Sequence, residues 1–168
     1  TGGHVFSKTF GESDSQAFHA LDLSENGNVV VAADVNGSID FGGGLLVSAG
    51  GSDVGVAAFD GFGNYLWGRL VGDTGDQHVA DLVVKKGGEV ALVGSFNGAL
   101  NAGPVQLQSA GSFDVFVLGL GNQGVEIYGH RMGDPSSQMG RAIALTRNQS
   151  TFIGGEFLGQ LSFNGLPL

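Results

Sequence analysis

Gly11-Glu12-Ser13-Asp14-Ser15-Gln16 returns as Gly72-Asp73-Thr74-Gly75-Asp76-Gln77 and again as Gly133-Asp134-Pro135-Ser136-Ser137-Gln138, each time 61 residues further on. The spacing holds well outside this stretch, at Gly37, Gly98 and Gly159 and at the aromatics Phe6, Trp67 and Tyr128. No gap is needed, so every copy has one length. A period of this size marks stacked supersecondary units, none of which can bury its apolar face alone. The 168 residues hold about 2.75 such units, read as approximately 1–60, 61–121 and an incomplete 122–168 of a single array.

Reading the copies jointly settles their elements. Residues 17–23 and 77–86 could pass for helix starts, but their partner 139–145 carries Gly140, and the second copy is rich in Val (Val79, Val83, Val84). All three read as strands. Asn26-Gly27, Gly87-Gly88 and Asn148-Gln149 follow them, the first two being signals for two-residue hairpins with positive φ at both positions. The next strands are 28–34, 89–96 and 150–157. A second hairpin joins 53–59 to 65–71 and 114–120 to 125–132, through Asp60-Gly61-Phe62-Gly63 and Gly121-Asn122-Gln123-Gly124. Between the hairpins lies a Gly-rich crossing with a short apolar piece at Leu45-Leu46-Val47. That makes four principal strands per unit, with Phe6 in an N-terminal strand matching those of Trp67 and Tyr128.

Val29-Val30-Val31-Ala32-Ala33 and Val115-Phe116-Val117-Leu118 are apolar on both faces, where one wet face would give alternation. A four-stranded blade held between two neighbours buries both faces. The expected fold is therefore all-β, a β-propeller-like array of antiparallel four-stranded blades. A β-sandwich leaves the constant period unexplained, and a short-coil solenoid needs a shorter one.

Composition agrees. Gly reaches 32 residues and Pro only 3, and apolar residues make up 42%. Abundant Gly without Pro, among Val, Leu and Phe, indicates tight turns between strands rather than disorder. A net charge of −9 argues against nucleic acid, which needs a basic face, and against anionic membrane surfaces. No apolar run is long enough for membrane insertion as a helix. The start Thr1-Gly2-Gly3-His4 does not read as a signal peptide, so the chain is expected to be a mature or excised segment. With no cysteine, disulfides and thiolate metal sites are excluded.

Phe41-Gly42-Gly43-Gly44, then Ser48-Ala49-Gly50-Gly51-Ser52-Asp53, then Phe59-Asp60-Gly61-Phe62-Gly63-Asn64-Tyr65-Leu66-Trp67 resembles the bacterial secreted repeat proteins of the SBBP type, frequent in myxobacteria. The resemblance runs through all three copies and rests on turn and strand signals. It implies propeller-like repeats at the cell exterior, secreted or on the surface, with no catalytic residues to carry over. The copies here are longer than that pattern, and they place Gln where an Asp often precedes the first strand.

The corner Gly-[Asp/Glu]-x-x-x-Gln is the first candidate site. Glu12, Asp14, Asp73, Asp76 and Asp134 would line one rim as oxygen ligands of the kind Ca²⁺ prefers, with Gln16, Gln77 and Gln138 as amide ligand groups. The competing reading has the carboxylates bonding nearby backbone N–H groups and the glutamines stitching the junction; recurrence in every unit favours it. Asp73-Thr74-Gly75 spells an aspartic-protease triplet, but its counterparts Glu12-Ser13-Asp14 and Asp134-Pro135-Ser136 do not, and that chemistry needs two such loops. Gly119-x-Gly121-x-x-Gly124 leads from strand to strand and so lacks the helix N-terminus of a phosphate cradle. His4, His19, His78 and His130 hold unrelated repeat positions and are read as surface or junction residues. Trp67 could stack on a sugar, although Phe6 and Tyr128 at the same position favour packing.

No enzymatic signature emerges. The expected role is a noncatalytic scaffold that binds protein or glycan or builds an assembly, needs no cofactor, and is partnered by further blades of a parent chain or by copies of itself. The alternatives are a scaffold piece of a propeller enzyme whose catalytic groups lie elsewhere, and a Ca²⁺-stabilised structural repeat.

Overall fold

In a computed structural model, which describes residues 2–11 and 14–167, every regular element is a β-strand. β1 (Gln16–Leu23), β2 (Val29–Asp40), β3 (Leu45–Phe59) and β4 (Tyr65–Val71) form one antiparallel sheet in chain order. The second sheet repeats the plan one period later with β5 (Gln77–Val84) and β6 (Val90–Phe96). A small hairpin follows, β7 (Ala99–Ala102) and β8 (Val105–Gln108), and the sheet then resumes with β9 (Asp114–Leu120) and β10 (Glu126–Met132). β11 (Gln138–Leu145) and β12 (Thr151–Phe157) pair as the start of a third. β13 (Ser162–Phe163) and β14 (Leu166–Pro167) form a short hairpin on the free edge of β10, where Met132 lies opposite Phe163.

The Gly-rich crossing is more regular than its composition suggests. In the first unit it is the outer part of β2 and β3, which pair from Ser38 opposite Val47 to Asp40 opposite Leu45. In the second unit the same stretch detaches as β7–β8. This piece ties consecutive units together, since Gly72 N–H donates to Asn101 O (3.3 Å) and Gly133 N–H donates to Ser162 O (3.0 Å).

The hairpin turns differ from the two-residue type. Five of them close alike, with the fourth turn residue donating its N–H to the first residue's carbonyl: Gly27 to Ser24, Gly63 to Asp60, Gly88 to Lys85, Gly124 to Gly121 and Gln149 to Thr146. That fourth residue has positive φ in every case, including Gln149 at 64°; the expected positive φ at both turn positions is found at Gly87-Gly88 (88° and 86°) but not at Asn26-Gly27, where Asn26 lacks it. These are three-residue loops ending in a left-handed bulge residue, the next most common way to match strand twist. Register irregularities recur as faithfully. Each first strand bulges at His19, Ala80 or Arg141, and each fourth strand at Leu66 or Ile127, one repeat apart.

The core lies between sheets. β6 and β9 are buried at every residue, as strands covered on both faces must be. Val30, Ala32, Val54, Val56 and Ala58 on one face of the first sheet pack against Val79, Leu82, Val90 and Leu92 of the second. Ala91, Val93, Val115 and Val117 on the far face of the second sheet meet Ile143 of β11. The glycines of the turns serve this stacking: a Cβ on Gly124 would strike the Trp67 ring, and one on Gly63 would lie 2.9 Å from Phe6, one repeat earlier.

Phe6 therefore keeps its register without a strand. Residues 2–11 form no regular element, and Phe6 is 37% exposed where Trp67 is 8%. Tyr128 is half-buried. The aromatic position is equivalent in each unit, but its burial depends on whether both neighbouring sheets are there.

Trp67→Ala should cost about 3–5 kcal/mol, as core aromatic truncations do, because the ring is buried and its Nε1–H donates to Asn122 O (2.9 Å). Gly27→Ala should cost about 1–2 kcal/mol, since its φ is positive but the space around it is open. Gly124→Ala should cost about 1–3 kcal/mol more, for displacing Trp67. Denaturant melts of the three variants check this ranking.

Candidate functional site

The recurring corner brings its residues together as a backbone-bonding device. Gln77 and Gln138 are fully buried between successive sheets. Gln77 Nε2 donates to Ala99 O (3.0 Å) while its Oε1 accepts from Asp73 N–H (3.2 Å). Gln138 Nε2 donates to Leu158 O (2.9 Å) and to Asp134 Oδ1 (2.7 Å), and its Oε1 accepts from Asp134 N–H (3.1 Å). Gln16, half-buried, donates to Asn36 O and Ser38 O. Each amide thus bridges the corner to a carbonyl near the end of the same unit's second strand.

Three of the rim acids, Asp73, Asp76 and Asp134, are held in the same way. Asp134 accepts from Gln160 N–H (2.6 Å) and Ser136 N–H (2.8 Å), and these bonds hold its carboxyl below the usual carboxylate range. Asp73 accepts from Thr74 N–H and from Asn101 Nδ2, and Asp76 accepts from Ser52 N–H (3.2 Å). Asp14 lies against Gly37, where any side chain would collide with its carboxylate. Glu12 lies outside the described residues. Among the described residues no group of three or more His, Asp or Glu side chains is arranged to hold a metal ion. The Gly121–Gly124 turn connects β9 to β10, strand to strand.

Beneath each of the Gly72 and Gly133 corners lies an acid that the sequence did not single out for a site. Asp53 (2% exposed) and Asp114 (0%) head equivalent strand segments. Oδ2 of each accepts a backbone N–H four residues back, from Ala49 and Ala110, both at 2.8 Å. Oδ1 of each is buried with no hydrogen-bond partner among the described residues, crowded against the Cα of Gly72 or Gly133 and near the corner Gln Oε1. Burial raises both carboxyl pKa values, opposed by the Ala N–H in each case. Among the described residues only Asp114 of the two has a cation: Arg131 Nη1 donates to its Oδ2 at 3.0 Å, whereas the first unit has Leu70 at the Arg131 position.

A second cluster sits where the first strands of three units converge. His78 Nδ1 lies 2.8 Å and His19 Nε2 3.3 Å from Asp34 Oδ2, and Asp34 Oδ1 accepts from Val79 N–H at 2.8 Å. Ser95, one repeat after Asp34, repeats that last contact by accepting from Gly140 N–H (3.1 Å). A cavity of about 350 Å³ opens here, lined also by Met139 and Arg141. Histidines at unrelated repeat positions meet because β5 of one unit lies over β1 and β2 of the previous one. The one sequence trace of this is the polar column Asp34, Ser95, Glu156 within otherwise apolar strands. Ser95 is paired across the strands with His78, yet no Ser–His hydrogen bond is formed among the described residues, so the nucleophilic arrangement lacks its central contact.

No family model matches this chain, and no curated protein matches it.

The buried acids make a paired test. A carboxyl whose pKa rises on folding stabilises the fold below its unfolded pKa, and that contribution is lost as pH rises through the folded value. Asp53→Asn removes this cost without stranding a partner, so the variant should be at least as stable as the parent at pH 7, with the difference closing below about pH 4. Asp114→Asn leaves Arg131 without its carboxylate and should lower stability at pH 7. Thermal melts from pH 3.5 to 8 read both effects; a marked loss of stability in Asp53→Asn at pH 7 would contradict this assignment.

Proposed function

We propose that this chain is a noncatalytic structural and interaction scaffold, a propeller-like array of four-stranded blades displayed at the exterior of a bacterial cell. The observation that carries the reading is the contrast between inner and outer sheet faces. Leu82 and Leu92 are 3% and 0% exposed at the inner junction, whereas Leu21 on β1 is 62% exposed and Phe152 on β12 is 65% exposed. Exposed apolar faces of this kind mark interaction surfaces, and those here belong to the same stacking plan. Further blades, or copies of the chain, are the natural partners. The resemblance to SBBP-type secreted repeats supports the exterior location. The glutamines and Asp73, Asp76 and Asp134 bond to backbone groups around the corner, which supports a structural role for them.

A second reading is favoured by one observation. The bulge in each first strand is repeated, yet its residue varies from His19 to Ala80 to Arg141. Bulges re-aim side chains beside functional sites, so the cavity around Asp34 is the place where a protein or glycan ligand would bind.

Sedimentation velocity tests the scaffold reading. The chain should self-associate as its concentration rises through the micromolar range, and Phe152→Glu should weaken association while leaving the melt intact. A concentration-independent monomer with a cooperative melt would contradict it.

A further inference from the structure

Residues 4–10 lie across the outer face of the first sheet in the place that β4 occupies on the second. Phe6 covers Gly63 as Trp67 covers Gly124. Phe10 packs with Phe41 and Phe59, as Val71 packs with Ala102 and Leu120 one repeat later. Lys8 reaches over the Phe59 ring at 5.4 Å from its centroid. This segment behaves as a fourth strand, but its backbone pairs with no strand among the described residues.

β4 is not alone in its own setting. It is hydrogen-bonded along its length to β3, and Val54, Val56 and Ala58 of β3 fill the space between β4 and β5. The corresponding space beside residues 4–10 is an open groove of about 750 Å³. Phe18, Leu21, Leu23 and Val31 line it, and their counterparts Val79, Leu82, Val84 and Leu92 belong to the inner junction. The groove therefore has the apolar lining and, along residues 4–10, the unpaired backbone (among the described residues) of a site whose filled form is visible one repeat away.

We propose that this groove takes an added β-strand of the repeat's own third-strand type. The strand would pair antiparallel with residues 4–10 and present small apolar side chains at alternate positions, as Val54, Val56 and Ala58 do. Main-chain bonds to an open edge supply affinity, and pockets for alternate side chains supply selectivity. The corner adds a further element of selectivity. Asp53 at the head of β3 sets its buried Oδ1 against Gly72 and Gln77, and the equivalent Gly11, with Gln16 Oε1 2.9 Å from where its Cβ would be, has no such acid among the described residues. An Asp immediately before the first small apolar residue is thus part of the recognised pattern. This inference rests on the stacking reading above, and it names the partner as the third strand of a further unit rather than the face of a second copy.

The probe is a fluorescent peptide of residues 52–60, added to the full chain, with a Val54→Asp, Val56→Asp peptide as control. The expected result is saturable binding of the parent peptide and at least tenfold weaker binding of the control. Amide exchange at residues 4–10 should slow at least tenfold on binding, and Leu21→Glu, at an exposed position, should reduce affinity without changing the melt. Equal binding of both peptides, binding without protection at residues 4–10, or no binding by a folded monomer would overturn the proposal. Self-association that the peptide does not compete would overturn it too while leaving the scaffold reading standing. Absence of both peptide binding and self-association would defeat the two together.

Discussion

Burial of one sheet's face against the next is the interaction on which the rest of this structure depends. Val30, Ala32, Val54, Val56 and Ala58 are small enough to let β5 approach, and that approach excludes water from Leu82, Val90 and Leu92. Apolar burial contributes roughly 25 cal/mol per Å², and no other source of comparable size is present in a chain without disulfides. The turns, the bulges and the corner glutamines all act to keep successive sheets in this one relation. Because the relation is repeated, each junction stabilises its neighbour, as in other quasi-one-dimensional repeats.

Close stacking also dictates the electrostatics. Bringing the corner down on the sheet below traps Asp53 and Asp114 with one oxygen each unbonded, an arrangement that costs free energy unless the acid stays neutral or finds a cation. The second unit supplies Arg131 and the first does not. Identical backbone thus sets one motif in two different electrostatic surroundings. The same divergence occurs at the bulge, where His19, Ala80 and Arg141 share a geometry and differ in chemistry.

Strand content was legible because Val29–Ala33 and Val115–Leu118 are apolar on both faces, a pattern that only doubly covered strands sustain. The constant period made corresponding residues identifiable before any contact was known. Turn type was misread at Asn26-Gly27, since a two-residue and a three-residue loop share the same glycine and differ in the conformation of the residue before it. Residues 4–10 carry a strand's sequence without a strand's hydrogen bonds, because pairing needs a partner as well as a propensity. The Asp34 cluster was hidden for a different reason. Its members are neighbours only through the offset between stacked sheets, and a repeat alignment places His19 and His78 in separate columns. Asp53 and Asp114 stand in the sequence as the first residues of strands 53–59 and 114–120, and their isolation follows from the approach of Gly72 and Gly133.

Native-state hydrogen exchange across the 168 residues tests the dependence on stacking most directly. Strands of near-equal length and register should differ in protection according to their neighbours: β6 and β9 should open only with global unfolding, and β1 and β12 at far lower free energy. Equal protection of β1, β5 and β11 would contradict the account, since each sheet would then be stable by itself and stacking would add nothing.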